Sequence, residues 1–273
     1  MIKENEITFV ITCFNSEKII KNTLENIPQV SKKIIIENSG NIKLKKLENE
    51  FENLTSLIMK ENLGYGAANN IGIKNSNTKY IFILNPDVVL AKNDIKNILL
   101  NCNELDFSIL GFTSETEKYN FPKNAKFMKA KEVKGFAMLL KRENLLDCLF
   151  DENFFLYLEE IDLCRRTLKK GGTIYILNYL LNHAGGKSHA VNSFEMEKSR
   201  NWHWMWSQFY FRKKYSGYFI ALLKYLPILF LFLCKYFLYF NKTQKQQIYK
   251  CRLSGLFNSI IGNKSFYRPN LKI

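Results

Sequence analysis

The stretch Y-I-F-I-L-N-P-D, residues Tyr80–Asp87, decides the fold of this chain. Its first five residues form a short apolar strand. Pro86 ends that strand because it has a fixed φ and no backbone N–H donor. Asp87 is therefore predicted to lie at the carboxyl end of a strand, where open α/β sheets bind their ligands. An ordinary Asp-containing turn is the alternative interpretation, and this stretch alone does not separate the two.

Outward from this stretch, strand and helix patterns alternate. The predicted strands are Ile7–Phe14, Lys33–Glu37, Ser56–Met59, Tyr80–Leu84, Phe107–Gly111, Glu132–Leu140 and Thr173–Leu177. The predicted helices follow Ser16 to about Ile27 and cover Ile42–Glu52, the stretch beginning with Asn62–Gly72, Asn93–Asn101 and Glu159–Lys170. Strands separated by helices of this length predict an α/β fold with a mostly parallel, doubly wound sheet.

The charge of the chain is distributed unevenly. The formal net charge is +15, and the segment from Lys198 to Ile273 contains fourteen Lys and Arg but no Asp or Glu. We therefore predict two regions, a catalytic domain over 1–197 and a basic, aromatic-rich helical region over 198–273. The basic region indicates an anionic partner. Its aliphatic and aromatic content favours an anionic membrane surface and argues against nucleic acid.

Tyr218–Phe240 is the most apolar part of the basic region and is long enough to cross a bilayer. Lys224 and Lys235 interrupt it, however, and at helical spacing they lie on nearly the same face. Pro227 is expected to kink a continuous helix. This pattern favours a helix lying in the membrane plane. A spanning or re-entrant hairpin and a buried dimer interface remain as alternatives.

The six cysteines include no C-x-x-C pair. Most lie in apolar surroundings, so we expect reduced, buried thiols. The first residues are polar and the first apolar run is a predicted strand, so we expect no signal peptide. These features predict a peripheral protein at the cytoplasmic face of the inner membrane.

Polar residues follow four of the predicted strands and should meet at one edge of the sheet. They are Thr12 with Asn15, Glu37 with Asn38, Asn62, and Asp87. The glycine-rich helix opening Asn62–Gly72 allows close approach of the backbone to a ligand at a helix N-terminus. It matches neither a dinucleotide fingerprint nor a P-loop. Tight packing of helix on sheet explains these glycines equally well.

Seven motifs follow one another along the chain: I-T-C-F-N, E-N-S-G-N, N-L-G-Y-G-A-A-N-N-I-G, L-N-P-D, K-G-F-A-M-L-L-K-R, F-F-L-Y-L-E-E-I-D-L-C-R-R and N-H-A-G-G-K-S. Their order and spacing resemble those of glycosyltransferase family 2. The resemblance covers about residues 6–190 and is strongest to the rhamnosyltransferase-like branch; Gly262–Pro269 also resembles the tail of that branch. It implies a GT-A-type, Rossmann-like fold, a nucleotide-diphospho-sugar donor, Mg²⁺ or Mn²⁺, and inversion at the anomeric carbon.

The resemblance also implies roles for individual residues. Thr12 and Asn15 resemble residues that hold the nucleotide, and Glu37 stands where the family usually has an Asp that meets the base or ribose. The further donor-binding residues implied are Asn38, Asn62, Gly66, Asn69, Asn85 and Arg165. Asn85-Pro86-Asp87 resembles the DXD metal motif with its first acid replaced by an amide. Asp87 is then the chief metal ligand, and His183 matches a position that supplies a further ligand in some relatives.

The acidic run at Glu159–Asp162 resembles the family pattern E-D-x-D-L-C-x-R, in which the second acid is the general base. Glu160 therefore takes that role, with Glu159 and Asp162 as alternatives. A base is needed because the acceptor hydroxyl must lose its proton as the diphosphate leaves. Carboxylates at a helix start also favour the helix dipole, which is a structural explanation for two of the three.

The sequence thus predicts an inverting, metal-dependent glycosyltransferase of cell-surface polysaccharide synthesis. The expected donor is dTDP-rhamnose, and the expected acceptor is a lipid-linked oligosaccharide or polysaccharide. A non-catalytic membrane scaffold with a degenerate GT-A domain is the alternative, because Asn85 and Glu37 stand at positions where the family has Asp. A sugar-1-phosphate nucleotidyltransferase is disfavoured, since no glycine-rich loop bearing Lys or Arg follows the first strand.

Overall fold

The structure, a computed structural model, describes residues 2–145, 148–183 and 194–269. The chain forms two compact units. The sheet unit contains the described residues of Met1–Phe150 and Glu160–Val191, and the helical unit contains those of Asp151–Glu159 and Asn192–Ile273. The segment Asp151–Glu159 therefore groups with helices that follow it much later in the chain.

An eight-stranded sheet forms the centre of the sheet unit, with the strand order β3-β2-β1-β4-β8-β6-β9-β7. A separate pair of two-residue strands, β5 and β10, completes the strand set of the described residues. The strands are β1 (Ile7–Cys13), β2 (Lys32–Glu37), β3 (Leu54–Ile58), β4 (Tyr80–Leu84), β5 (Val88–Val89), β6 (Ile109–Thr113), β7 (Phe127–Lys129), β8 (Ala137–Lys141), β9 (Ile174–Leu180) and β10 (Asn182–His183).

Four α-helices accompany these strands: α1 (Glu17–Glu25), α2 (Tyr65–Asn75), α3 (Asp94–Cys102) and α4 (Glu159–Lys169). Strands β1, β2, β3 and β4 are all parallel to one another, as are β6 and β9. The predicted α/β class with a mostly parallel sheet is confirmed. Strand β8 differs, because it runs antiparallel to both β4 and β6.

Two predicted elements differ from the structure. The helix predicted over Ile42–Glu52 is a 3-10 helix over Ile42–Asn49, in which only Leu44 is buried. A segment with so little apolar surface cannot gain much from packing an α-helix on the sheet. The strand predicted over Glu132–Leu140 begins only at Ala137, because Gly135 and Phe136 form a turn immediately before it.

The core of the sheet unit fixes the strands that carry the site. Phe82 in β4 stacks on Phe9 of β1 and on Phe112 of β6, with ring centroids 5.3 and 5.2 Å apart. On the other face Gly72 of α2 lies so close to Val10 that a Cβ would overlap the valine side chain. All five residues of β4 are buried, so the position at which this strand ends is firmly set.

Three long helices build the helical unit: α5 (Phe194–Ser216), α6 (Tyr218–Leu238) and α7 (Thr243–Ile260). Gly217 joins α5 to α6 with a φ of 86°, a conformation that favours glycine. Helix α6 continues through Pro227. Helices α5 and α7 are in close contact at Gly255, where a Cβ would overlap the carbonyl oxygen of Trp202.

Gly255→Ala should therefore destabilise the helical unit by about 2 kcal/mol, since overpacked sites typically lose 1–3 kcal/mol and a backbone atom cannot move aside. Urea unfolding, monitored by tryptophan fluorescence, measures the stability of this unit, because all three tryptophans lie in α5. The control is Gly262→Ala, where φ is +84° but the space is open; it should cost only about 1 kcal/mol. Equal stability of Gly255→Ala and the wild type would contradict the close contact.

The aromatic residues at the start of the basic region form a seam within the helical unit. Trp202, His203 and Trp206 are buried. His203 makes hydrogen bonds with the side chain of Ser265 and the carbonyl of Tyr267 at 2.8 and 2.7 Å. Burial lowers the pKa of His203 to about 3, so this ring is neutral. The cluster thus holds α5 to the tail of the chain.

Helix α6 exposes a long apolar face. Among the described residues, it is the one helix that is long and apolar enough to cross a membrane. Only 17% of its most apolar 18-residue stretch is buried. The side chains of Phe219, Leu223 and Leu238 are 77%, 74% and 76% exposed. Lys224 lies over the ring of Tyr225, and Lys235 over that of Tyr249. Both lysine ammonium groups therefore make cation–π contacts.

The cysteine prediction agrees with the structure, in which Cys13, Cys102, Cys148, Cys164 and Cys251 are buried free thiols and Cys234 is an exposed one. Burial raises the pKa of Cys102 and of Cys164 to about 12, so these thiols are unreactive.

Candidate active site

The carboxyl ends of β1, β2 and β4 lie side by side, because the three strands are parallel neighbours in the sheet. The backbone N–H of Asn38 donates to the carbonyl of Cys13 at 2.8 Å, which joins the ends of β1 and β2. Asn85 to Asp87 follow β4 on the same edge. This edge therefore unites polar residues that are far apart in the sequence.

Glu37 is fully buried at the end of β2. One of its carboxylate oxygens accepts hydrogen bonds from the backbone N–H of Ser39, at 2.6 Å, and from the Ser39 hydroxyl. The other oxygen, Oε2, is buried and has no hydrogen-bond partner among the described residues. Burial raises the pKa of Glu37, although the bonds from Ser39 and from the backbone of Asn15 counteract this. Oε2 is an acceptor suited to the N–H or O–H of a nucleoside.

The start of α2 forms the next wall of the site. The hydroxyl of Thr12 donates to Oδ1 of Asn69 at 2.9 Å, while the Asn69 amide nitrogen is buried without a partner in the described part of the chain. Asn38 donates to the carbonyl of Gly64 at 3.1 Å, and Asn62 accepts from the Gly64 N–H at 3.0 Å. Gly66 is buried in the first turn of α2. These contacts hold the glycine-rich opening against the strand ends.

Asp87 and His183 form the centre of the candidate metal site. Strand β10 pairs antiparallel with β5 and places His183 opposite Val88. Nε2 of His183 then lies 3.4 Å from Oδ1 of Asp87, and both side chains are largely buried. The loop before them is anchored by the hydroxyl of Thr23, which donates to the carbonyl of Pro86 at 2.7 Å.

The residues present fit a divalent metal. Both ring nitrogens of His183 are buried, and neither has a hydrogen-bond partner among the described residues. A buried imidazole beside a carboxylate is a typical ligand pair for Mn²⁺ or a similar ion. No group of three or more His, Cys, Asp or Glu converges within the described residues. The described residues thus offer two ligands, and a bound diphosphate and water would supply the rest.

Phe136 connects this metal site with the acidic helix start. Its ring stacks on His183 with centroids 4.7 Å apart, and its carbonyl accepts from the backbone N–H of Asn85 at 2.8 Å. The preceding Gly135 accepts a hydrogen bond from the hydroxyl of Tyr65. A Cβ on Gly135 would lie 3.6 Å from that of Glu160. No sequence pattern predicts the contact of Phe136 with His183.

Glu160 is the half-buried acid of the run at the start of α4. Burial raises its pKa, helped by the nearby Glu132, while backbone hydrogen bonds and Lys134 act in the opposite direction. A carboxylate with a raised pKa and some exposure is suited to accept a proton from a bound hydroxyl. Its position beside Gly135 brings it next to the segment that carries Phe136.

The neighbouring charged residues are placed differently. Asp162 is fully buried and accepts from Nε of Arg166 at 2.7 Å, and Arg166 also donates to the carbonyl of Leu149 at 2.5 Å. Glu159 is 4% exposed and belongs to the helical unit. Arg165, predicted to approach the diphosphate, is exposed. The structure therefore brings Glu160 to the site and uses Asp162 in an ion pair.

Glu37→Gln should weaken binding of the sugar donor by about tenfold to a hundredfold and change kcat little, because a hydrogen bond to a charged group contributes about 1.5–3 kcal/mol. Steady-state kinetics with varied donor concentration measure this as a rise in KM. The matched control is Glu48→Gln, since Glu48 accepts a backbone N–H from β3 and lies away from this edge. A Glu37 variant with unchanged KM would exclude contact with the donor.

The chain is similar to known proteins in sequence and in fold. The sequence profile of glycosyl transferase family 2 matches residues 8–163, more than half of the chain. The low-salt glycan biosynthesis hexosyltransferase Agl10 of Haloferax volcanii is 21% identical over 222 residues, which cover 70% of this chain and 72% of that protein.

Two solved structures have a similar fold. The mannosyltransferase PcManGT of Pyrobaculum calidifontis, in complex with GDP-Man and Mn²⁺, has a TM-score of 0.56 at 11% identity over 93% of this chain and 87% of its own. S. aureus TarS 1-349 in complex with UDP-GlcNAc has a TM-score of 0.53 at 14% identity over 96% and 93%. In the longer TarS structure the chain covers only 39% of that protein.

Proposed function

The chain belongs to glycosyltransferase family 2, and from that premise we propose that it is a metal-dependent, inverting enzyme that moves a sugar from a nucleotide-diphospho-sugar to a glycan acceptor. The observation that carries this proposal is the pair formed by Asp87 and His183. The pair lies at the sheet edge where Glu37 offers an acceptor to a nucleoside. A nucleotide base and a metal-bound diphosphate thus have separate binding groups on one edge.

In the proposed mechanism the donor is held at both ends. Glu37 and the Thr12–Asn69 pair bind the nucleoside, and the glycine-rich start of α2 faces the donor with backbone N–H groups. Asp87 and His183 would hold the divalent metal, which when bound stabilises the negative charge of the leaving diphosphate. Glu160 takes the proton of the acceptor hydroxyl as that oxygen attacks the anomeric carbon. A single displacement of this kind inverts the anomeric configuration.

The identity of the sugar is the finer part of the proposal. The motif pattern favours dTDP-rhamnose, whereas the similar structures were solved with GDP-Man and with UDP-GlcNAc. All three donors share the diphosphate that Asp87 and His183 would meet through the metal. Glu37 stands where the family usually has Asp, and its side chain is longer. It is therefore the residue most suited to select the nucleotide base of the donor.

We also propose that the region from 198 onward attaches the catalytic domain, 1–197, to the cytoplasmic face of the inner membrane, where a lipid-linked acceptor is available. The exposed apolar face of α6 and the absence of acidic residues from Lys198 onward support this. Flotation with liposomes tests it. Binding should require anionic lipid and fall with salt; equal recovery with and without liposomes would exclude it.

Hydrolysis of the three sugar nucleotides tests the enzymatic proposal. We expect one donor to be hydrolysed in the presence of Mn²⁺, and EDTA to stop the reaction. Failure with every donor in a properly folded sample would instead favour the non-catalytic scaffold suggested by Asn85 and Glu37. The chain has a carboxylate at both positions that the mechanism requires, Asp87 and Glu160, and this argues against a non-catalytic scaffold.

A further inference from the structure

Two adjoining cavities lie along α7 in the helical unit. The first is a groove between α6 and α7 of about 600 Å³. Its walls are mostly apolar and include Leu226, Phe230 and Leu233 of α6 with Leu253 and Phe257 of α7. The second is a chamber of about 350 Å³ on the side of α7 that faces α5. Lys250 and Ser254 line both cavities, so the groove and the chamber adjoin at these two residues.

The groove is too apolar for a sugar or a nucleotide. Phe230 is 68% exposed and Phe257 is 53% exposed, although they face each other across a concave surface. Exposed apolar walls of this kind are stabilised when a hydrocarbon chain displaces water from them. A groove between two helices with such walls is suited to one long chain.

The chamber has the opposite character. Lys198, Lys250 and Gln247 are among its lining residues, and none of the residues that line it is acidic. Lys198 forms an ion pair with Glu195 on its own helix. Lys250 is exposed and has no ion pair among the described residues. The indole N–H of Trp202 is already bonded to Ser254 at 3.1 Å. Lys250 is therefore the cation available to an anionic group where the cavities meet.

We propose that these cavities form a binding site for a single lipid molecule with one long hydrocarbon chain and a phosphate at its end. The chain lies in the groove between α6 and α7, and the phosphate binds Lys250, where the groove adjoins the chamber. The chamber then receives whatever group is attached to the phosphate. This inference extends the proposed lipid-linked acceptor, but binding of the lipid needs neither donor nor sugar transfer, so the two can fail separately.

Calorimetry with dodecyl phosphate below its micelle concentration tests the site on the full chain. Dodecyl phosphate should bind, while dodecyl maltoside and inorganic phosphate alone should bind at least about tenfold more weakly, since each lacks one of the two contacts. Lys250→Gln should weaken dodecyl phosphate binding by about tenfold. Phe230→Asn should weaken it through loss of the groove wall.

Two matched variants serve as controls. Lys245→Gln removes a lysine that lies on the same helix as Lys250 but lines a different cavity. Phe219→Asn removes an exposed ring of α6 that lies outside the groove. Both should bind dodecyl phosphate as the wild type does. Three outcomes would overturn the proposal: Lys250→Gln binding as tightly as the wild type, dodecyl maltoside binding as tightly as dodecyl phosphate, or Lys245→Gln losing as much affinity as Lys250→Gln.

Discussion

Asp87→Ala should reduce sugar transfer by at least about a thousandfold, which corresponds to about 4 kcal/mol of transition-state stabilisation. The reason is that Asp87 is the one carboxylate at the candidate metal site, and His183 is the only other ligand that the described residues bring to it. The rate of transfer at saturating donor and Mn²⁺ measures the effect. His183→Ala should lower activity less, because the carboxylate remains.

The fold should survive this substitution, since the backbone around Asp87 is held by the bond from Thr23 to Pro86 and by the pairing of β5 with β10. Circular dichroism and thermal unfolding of the variant check this. Asp106→Ala is a suitable control, because that carboxylate is exposed and makes only surface contacts with Lys141 and Asn144. Full activity of a folded Asp87→Ala protein would remove Asp87 from the mechanism.

Glu160→Gln should lower kcat by about a hundredfold to ten-thousandfold and leave donor binding nearly unchanged, because general-base catalysis contributes that much and the amide cannot accept the proton. The pH profile gives a second readout. Burial raises the pKa of Glu160, so wild-type activity should fall as the pH drops through a value above the ordinary range of a glutamate. This fall is the acidic limb of the pH profile, and the variant should lack it.

The neighbouring acids provide the controls for Glu160. Asp162→Asn should mainly lower stability, by about 3–5 kcal/mol, because it breaks a buried ion pair with Arg166. Glu159→Gln should leave the acidic limb in place. An acidic limb that persists in Glu160→Gln but disappears in Glu159→Gln would assign the base to Glu159.

The strands that decide the site were predictable from local sequence. The apolar runs of β1, β2 and β4 each stop at a polar residue, and the predicted Tyr80–Leu84 coincides with β4. The order of these strands follows from right-handed crossovers between parallel neighbours. Thr12, Glu37 and Asp87 could therefore be assigned to one edge without coordinates.

The rest depends on contacts between distant parts of the chain. The antiparallel insertion of β8 next to β4 brings Phe136 beside Asn85, and the two-residue pair of β5 and β10 brings His183 to Asp87. Such short strands have no sequence signal of their own. The family pattern pointed to Glu160 among the acids at the start of α4, whereas the ion pair that engages Asp162 with Arg166 is seen only in the structure.

The most direct test of the account is Mn²⁺ binding to the wild-type protein, measured by electron paramagnetic resonance with and without a nucleoside diphosphate. UDP, GDP and dTDP are each used in turn. With Asp87 and His183 as the two ligands found among the described residues, the metal should bind weakly alone and at least about tenfold more tightly with the cognate diphosphate. By linkage, Mn²⁺ should tighten nucleotide binding by the same factor. Asp87→Ala should abolish this coupling. Diphosphate binding that is equally tight in EDTA would contradict the account.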